Sequence, residues 1–276
     1  MKLGAVAPAL VQERTPAAYR PENLFAAAHR LGLQQFELPS RNWQEDGWVE
    51  RVGELQARYG IELELGFGDD YIGHADHQPT ERFAEFVERA CRPLGVKIVG
   101  TVSPLHGGRW LKEPPLNEQL NRFAAALRRL APVAEAGGIR LAVENHADYR
   151  GYELAGVLEQ VASPAVGARL DTGNPYTVIE EPLAAAEALA KYTCATHVKD
   201  QIVESEPGNR GLQGGLLALR NCVLGEGHVE LERIVPLLVE QGPLGKDLAL
   251  TLEVPASSIE ASITYARTAF ASYLGG

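Results

Sequence analysis

The sequence predicts an α/β fold, a single (β/α)8 TIM barrel spanning residues 1–276. Three observations carry this expectation. Strand-like apolar runs alternate with helix-like amphipathic runs eight times along the chain, the rhythm of a parallel sheet crossed by helices. Ligand-type side chains recur at the ends of the later strands, 27 residues from Glu144 to Asp171 and 26 from Asp171 to His197, each close to one strand-helix unit. The chain has 276 residues, a length that one barrel accommodates. An open doubly wound sheet is the alternative, but no Gly-rich phosphate fingerprint follows the first strand.

The elements follow in order. Strand 3–7 opens the chain. Pro21 and Glu22 start a helix to 31, closed by Gly32. Strand 34–38 carries Glu37 one residue from its end, and helix 48–59 is closed by Gly60. Strand 61–65 alternates Ile, Glu, Leu, Glu, Leu, so Glu62 and Glu64 share a face. Thr80 caps a helix over 79–94. Strand 96–102 leads to a Pro- and Gly-rich loop over 103–115, and helix 116–136 ends at Gly137-Gly138. The second half repeats the unit: strand 140–145, helix 152–161, strand 166–171, helix 182–191 and strand 194–199. A glycine-rich loop over 201–227 precedes helix 228–240, strand 248–254 and helix 257–273. Lying between two strands with ligand-type ends, that loop is expected to act as a lid.

Four strand ends carry the chemistry. Glu144 ends Leu141-Ala142-Val143-Glu144 and shares its face with Ala142. Asp171 ends Ala168-Arg169-Leu170-Asp171, His197 lies in Ala195-Thr196-His197, and Glu253 shares a face with Ala249 and Thr251. Each shares its face with small or polar residues, while the opposite face is mostly apolar. Taken singly, each reads equally well as a helix cap or a surface ion-pair partner. In a barrel all strand ends converge on one mouth, and clustered carboxylates repel one another unless a cation joins them. Glu144, Asp171, His197 and Glu253 are therefore a candidate metal set.

Composition narrows the classes. The chain carries 26 basic and 36 acidic residues, a net charge of −10. That balance argues against a nucleic-acid partner, whose affinity rests on Lys and Arg contacts to phosphate. No apolar run approaches the ~20 residues that span a bilayer, and the first residues lack the apolar core of a secretion signal. Cys91, Cys194 and Cys222 are widely spaced and odd in number, which suits reduced, buried thiols and a cytoplasmic location. Strand parity turns Cys194 away from the face of His197.

The runs Val143-Glu144-Asn145-His146, Leu170-Asp171-Thr172-Gly173-Asn174, Thr196-His197-Val198-Lys199-Asp200, Leu224-Gly225-Glu226-Gly227-His228 and Leu252-Glu253 resemble successive landmarks of the xylose isomerase-like barrels. The sugar isomerase/epimerase branch is the nearest likeness. Over residues 1–110 the resemblance is little more than the strand-helix rhythm. It implies one divalent metal ion, Mn²⁺ before Mg²⁺, Co²⁺ or Zn²⁺, held by Glu144, Asp171, His197 and Glu253. It also implies that Glu144 and Glu253 act as acid and base. Ketose epimerases carry a His three residues after the sixth-strand Asp; here Asn174 stands there, able to donate a hydrogen bond but not to titrate.

The chemistry that follows is proton abstraction beside a carbonyl through an enediolate, with a sugar or polyol as substrate. Return of the proton to the same carbon epimerises, and return to its neighbour isomerises. The alternative is a metal-dependent keto-polyol dehydratase, which starts from the same abstraction. An abasic-site endonuclease would need further His ligands and a basic face, and a non-catalytic binding barrel would need none of this chemistry. A homo-oligomer stays open. Secondary candidates for substrate contact are His146, Asn174, Lys199, Glu37 and Arg169. His146 is read as a mouth residue or a surface loop His, and Lys199 as a substrate donor or half of a structural ion pair. Arg169 faces inward by parity, to hold Asp171 or to pair with Glu62 or Glu64. Phe67, Trp110 and Tyr176 are candidate pocket walls. Glu226 and His228 are read as turn residues, and His74, His77 and His106 as exposed loop residues.

Overall fold

The computed structural model describes residues 1–68, 78–103, 108–205 and 217–274. Its strands are β1 (Lys2–Val6), β2 (Gln35–Leu38), β3 (Glu62–Gly66), β4 (Ile98–Thr101), β5 (Arg140–Glu144), β6 (Val166–Asp171), β7 (Thr193–His197), β8 (Gln201–Ser205), β9 (Leu217–Asn221) and β10 (Ala249–Leu252). Eight of them form one parallel sheet in the order β10-β1-β2-β3-β4-β5-β6-β7. Val198 closes the ring onto β10: its N–H donates to the Thr251 carbonyl at 2.8 Å, and its carbonyl accepts from the Glu253 N–H at 2.9 Å. The fold is a (β/α)8 TIM barrel.

Helices α1 (Ala7–Leu10), α2 (Pro21–Arg30), α3 (Trp48–Tyr59), α4 (Gln78–Phe86), α5 (Leu116–Gly137), α6 (Gly151–Val161), α7 (Pro182–Leu189), α8 (Leu231–Gln241) and α9 (Ile259–Ala269) lie between the strands. Their apolar stripes pack on the outward strand faces. Phe25 of α2 meets Phe36 of β2 edge to face, with centroids 5.0 Å apart, and both rings are fully buried. Burying a side chain of that size contributes about 1.5–3 kcal/mol. Among the described residues no helix is long and apolar enough to cross a membrane.

Three local features depart from the sequence reading. The helix expected over 79–94 is α4 followed by a π-helical turn, Val87–Cys91. The loop expected over 201–227 contains the antiparallel ribbon β8–β9, registered from Gln201↔Asn221 to Ser205↔Leu217; residues 206–216, the body of the expected lid, lie outside the described residues, as do His74, His77 and His106. On β7, Ala168 pairs with Thr193 but Arg169 pairs with Ala195. Cys194 is thus an extra residue in the ladder, and it packs with Ala142 and Ala195 rather than on the opposite face. A bulge resets the alternation on which parity rests. Burial pushes the Cys91 and Cys194 thiols up to about 12, so both stay protonated at neutral pH.

Below the mouth, the barrel interior is polar. Gln35 Nε2 donates to Glu64 Oε1 at 2.8 Å and to Thr251 Oγ1 at 2.9 Å. The Arg169 guanidinium lies 2.9 Å from Glu64 Oε2 and 2.8 Å from Glu37 Oε2. Glu62, the other candidate partner, pairs instead with exposed Lys2. Arg169 fits because β4 passes it as Gly100: a Cβ there would stand 2.0 Å from Nη1. Gly100→Ala is expected to force the guanidinium off its two carboxylates and cost about 1–3 kcal/mol, as overpacking does. A lowered denaturant midpoint checks this, and an unchanged midpoint would show that the interior gives way freely.

Candidate metal centre

The mouth of the barrel brings the four strand-end residues together. Glu144 closes β5, Asp171 closes β6 and His197 closes β7; Glu253 follows β10, held by its backbone bond to Val198. One donor atom from each lies within 4.8 Å of all the others. His197 Nδ1 is 3.1 Å from Glu144 Oε2 and 3.1 Å from Glu253 Oε2.

Backbone and side-chain locks set this geometry. Asn145 Nδ2 donates to the Asp171 carbonyl at 3.0 Å, and the Asp171 N–H donates back to Asn145 Oδ1 at 2.7 Å. Asp171 Oδ1 accepts from the Gly173 and Asn174 N–H groups at 2.9 and 2.7 Å. That leaves Oδ2 turned to the cluster. Asn174 Nδ2 donates to Glu144 Oε1 at 2.9 Å. Thr172 Oγ1 donates to the Lys199 carbonyl at 2.7 Å and accepts the Lys199 N–H at 2.9 Å. Lys199 Nζ then reaches Asp171 Oδ2 at 2.9 Å, Glu253 Oε2 at 3.3 Å and Asn174 Oδ1 at 3.2 Å.

His197 is oriented from behind. Its Nε2 lies 2.8 Å from Glu37 Oε2, and the same oxygen faces Arg169. A carboxylate on one ring nitrogen fixes the ring and leaves the other nitrogen for a ligand. Glu37, Arg169 and His197 thus join the polar interior to the mouth. Glu37 is engaged with these two side chains, and Arg169 with Glu37 and Glu64 rather than with Asp171.

The donor set fits a divalent cation. Asp171 Oδ2, His197 Nδ1 and Glu253 Oε2 are buried without a hydrogen-bond partner; Lys199 stands at ion-pair distance from the two carboxylates without satisfying either by direction. Buried polar atoms without partners are rare and costly, and three of them converge here. Three carboxylates with one imidazole match the oxygen-rich preference of divalent ions such as Mn²⁺.

The titration tendencies point the same way. Burial opposes the charge on His197, yet the Glu144 carboxylate beside it, with Glu253, holds the imidazole well above its usual range. Burial would lift Glu37, but Arg169 and the His197 hydrogen bond hold it down at about 2. Asp171 is lifted to about 7 by burial, with Lys199 pulling the other way. A proton on His197 Nδ1 stands where a cation would bind, and the two compete for the same electron pair.

Two cavities meet this cluster. One of about 490 Å³ is lined by Glu144, Glu37 and Arg169 and runs out past Phe67 to Arg41 and Arg82. Another of about 270 Å³ lies against Glu253 and is lined by Val6, Gln12 and Asn221. Phe67 is therefore a wall residue. Trp110 is 62 % exposed and lines neither cavity, and Tyr176 directs its hydroxyl to the His228 carbonyl at 3.0 Å. His146 is half-buried and does not join the four-donor cluster.

Two residues outside the candidate list shape the site. Asn145 holds Asp171, as described. Asp200, fully buried, accepts four backbone N–H groups, from Gln201, Gly225, Gly227 and Val229, at 2.8–3.0 Å. It pins the Gly225-Glu226-Gly227-His228 turn under the ribbon; a Cβ on Gly227 would stand 2.1 Å from Asp200 Oδ1. His228 Nδ1 accepts the Val203 N–H at 3.0 Å, tying the same turn to β8. Their place in two of the motifs quoted above was the available signal.

The family model for the xylose isomerase-like TIM barrel matches residues 25–272. The uncharacterized protein YihM of Escherichia coli K12 is 23 % identical over 158 residues, 57 % of this chain and 44 % of that protein. The 3-oxo-isoapionate decarboxylase of Pectobacterium atrosepticum is 26 % identical over 188 residues, 67 % of this chain and 60 % of that one. The matches thus span less than two thirds of either relative. Among solved structures, an L-ribulose 3-epimerase superposes with a TM-score of 0.73 at 18 % identity, covering 99 % of this chain and 95 % of that one. The IolI protein with a bound zinc atom superposes with a TM-score of 0.73 at 16 % identity, covering 99 % and 98 %. The probable 3-DHS dehydratase AsbF of Bacillus anthracis gives 0.70 at 16 % identity, covering 96 % and 98 %. At these identities the superpositions speak for the fold alone. The family match covers most of the sequence, and the chain belongs to the xylose isomerase-like TIM barrels.

Proposed function

We propose that this chain is a divalent-metal-dependent sugar isomerase or epimerase that takes the proton from a carbon beside a carbonyl and returns it through an enediolate. The observation that carries this reading is the four-donor cluster, in which Glu144 and Glu253 open onto two different cavities. The bound ion, Mn²⁺ before Mg²⁺, Co²⁺ or Zn²⁺, would polarise the substrate carbonyl and its neighbouring hydroxyl. Glu144, steadied by Asn174, takes the proton presented on its side of the substrate. Glu253, on the other side, delivers a proton to the opposite face. Lys199 is placed to donate to a substrate oxygen, and Glu37 keeps the His197 ring from turning. The fold of an L-ribulose 3-epimerase and the zinc bound in the IolI structure support the reading.

A dehydratase is the second reading, and Asn174 favours it. A nontitrating amide stands where ketose epimerases carry a His, while Lys199 Nζ lies 3.2 Å from it. The same abstraction by Glu144 would then be followed by loss of a hydroxyl from the next carbon, with Lys199 donating the proton that makes it water. The AsbF likeness is compatible with that chemistry.

The metal assignment has its own test. Purified protein is expected to carry about one divalent ion per chain, as a closed four-donor site would. Elemental analysis of Asp171→Ala and His197→Ala is expected to show marked loss of that ion. Full occupancy in both variants would remove the four residues as its ligands.

A further inference from the structure

Among the described residues, four large apolar side chains are more than half exposed: Trp110, Leu111, Tyr152 and Ile179. They belong to one stretch of surface. The Arg109 guanidinium stands 5.2 Å from the centroid of the Trp110 ring and donates to Glu153 Oε2 at 2.7 Å. The Tyr152 hydroxyl donates to Glu153 Oε1 at 3.3 Å. The Gly151 N–H donates to Glu180 Oε2 at 2.8 Å, and Arg150 Nε to the Val178 carbonyl at 3.2 Å. These bonds tie the segment of Ile179 to that of Tyr152. The three segments follow β4, β5 and β6, which are neighbours in the sheet, so the patch is the rim of the mouth on that side. Exposed apolar side chains scattered singly are ordinary, but a contiguous group marks an interaction surface.

Ile179 carries a second signal. Its backbone is left-handed, with φ 57° and ψ 57°, a conformation that β-branched residues rarely adopt. It closes the turn Asn174–Val178: its N–H donates to the Tyr176 carbonyl at 3.2 Å, and the Glu180 N–H to the Pro175 carbonyl at 3.0 Å. Gly or Asn closes such a turn without that strain. An isoleucine there, 75 % exposed, gains little burial from its own chain and suits a surface that covers it.

The order along the rim decides what that surface is. Trp110 and Leu111 lie at one end, Tyr152 in the middle and Ile179 at the other. The Trp110 end carries Arg109 and Lys112 against Glu113 and the central Glu153; the Ile179 end carries Glu180 and Glu181 against Arg150. The Ile179 end is the more acidic. Lys112 and Glu181 are exposed and make no ion pair with any described residue. A two-fold axis beside Tyr152 reverses the order, so the Trp110 end of one copy lies on the Ile179 end of the other. Apolar side chains then meet apolar ones, and Lys112 meets Glu181 of the other copy. An isologous interface requires this self-complementarity. Two chains of net charge −10 also repel one another unless unlike charges meet locally.

We propose that this rim is an interface between two copies of the chain, related by a two-fold axis near Tyr152. The proposal is independent of the reading of the metal site.

Sedimentation equilibrium of the 276-residue chain tests it. The wild-type chain is expected to be a dimer at micromolar concentration. Ile179→Asp and Trp110→Asp are each expected to weaken the dimer by about tenfold or more, as loss of an interface anchor does. Ile179→Gly keeps the turn and removes only the side chain, so a weaker dimer there excludes a distorted loop as the cause. Lys112→Glu and Glu181→Lys each set like charges against one another and are expected to weaken the dimer. The double variant K112E/E181K is expected to recover most of that loss, because each reversed residue again faces its opposite in the other copy. All four positions are exposed, and an unchanged denaturant midpoint of the monomer shows that the fold is kept. A wild-type monomer at every concentration, a dimer that survives both Asp variants, or a double charge variant no tighter than the single ones would overturn the proposal. A monomer that binds a different protein through this rim would overturn it equally.

Discussion

Glu144→Gln and Glu253→Gln are each expected to lower turnover by about 10²–10⁴-fold, the usual contribution of a general acid or base. Both carboxylates also belong to the four-donor cluster, so part of the loss is expected to appear as weaker metal binding. Turnover is therefore compared at saturating Mn²⁺, with metal content measured in the same samples. The informative readout is deuterium uptake from D₂O over a panel of ketoses, keto-polyols and their terminal acids. The wild-type chain is expected to exchange at the carbon beside the carbonyl. If, as proposed, Glu144 and Glu253 act on opposite sides of the substrate, each variant blocks net conversion while one can retain exchange. The variant that retains it has lost the group that returns the proton. Normal turnover of both Gln variants with metal bound would end the two-carboxylate reading.

Much of this geometry was legible because strand alternation is rigid and local. Glu144, Asp171, His197 and Glu253 each stand at a strand end on the face that carries small residues, and parallel strands around a ring bring such ends to one mouth. Distances across the barrel are another matter. Parity places Arg169 inside, but whether it meets Asp171, Glu62 or Glu64 depends on strand tilt and stagger, which no single strand encodes. For the same reason Glu37 reads as a mouth residue in sequence, and it does line the mouth cavity, but its contact with His197, 160 positions away across the ring, could not be read. Cys194 was misplaced because a one-residue bulge leaves no mark in a run of small and polar residues. The ribbon at 201–205 and 217–221 escaped because its strands pair with each other outside the barrel, and so do not repeat the barrel's buried pattern. Asn145 and Asp200 were visible as motif letters, but their work is done on backbone groups, which residue type alone does not reveal.

The largest effect on stability is expected at Arg169. Its guanidinium is buried, 2 % exposed, and is the cation between Glu37 and Glu64. Removing one partner of a buried ion pair leaves an uncompensated charge and costs about 3–5 kcal/mol, whereas replacing the whole group by apolar side chains is often close to neutral. Arg169→Leu is therefore expected to lower stability by about that amount. Adding Glu64→Leu is expected to return part of it, so that the double variant is more stable than Arg169→Leu alone. That sign separates loss of charge compensation from loss of packing, because a pure packing defect would deepen with the second truncation. The effect also has a pH signature. Burial already raises the Glu64 carboxyl, with Arg169 opposing the rise; without Arg169 it rises further. A carboxyl whose folded pKa lies above its unfolded value favours the folded state below the unfolded pKa, and that advantage is lost as pH rises through the folded value. The deficit of Arg169→Leu relative to wild type is thus expected to be smaller near pH 5 than near pH 8, and denaturant titration at the two values measures it. A deficit independent of pH and worsened by Glu64→Leu would mean that Arg169 serves as filler between the strands and that the charges around it are settled elsewhere.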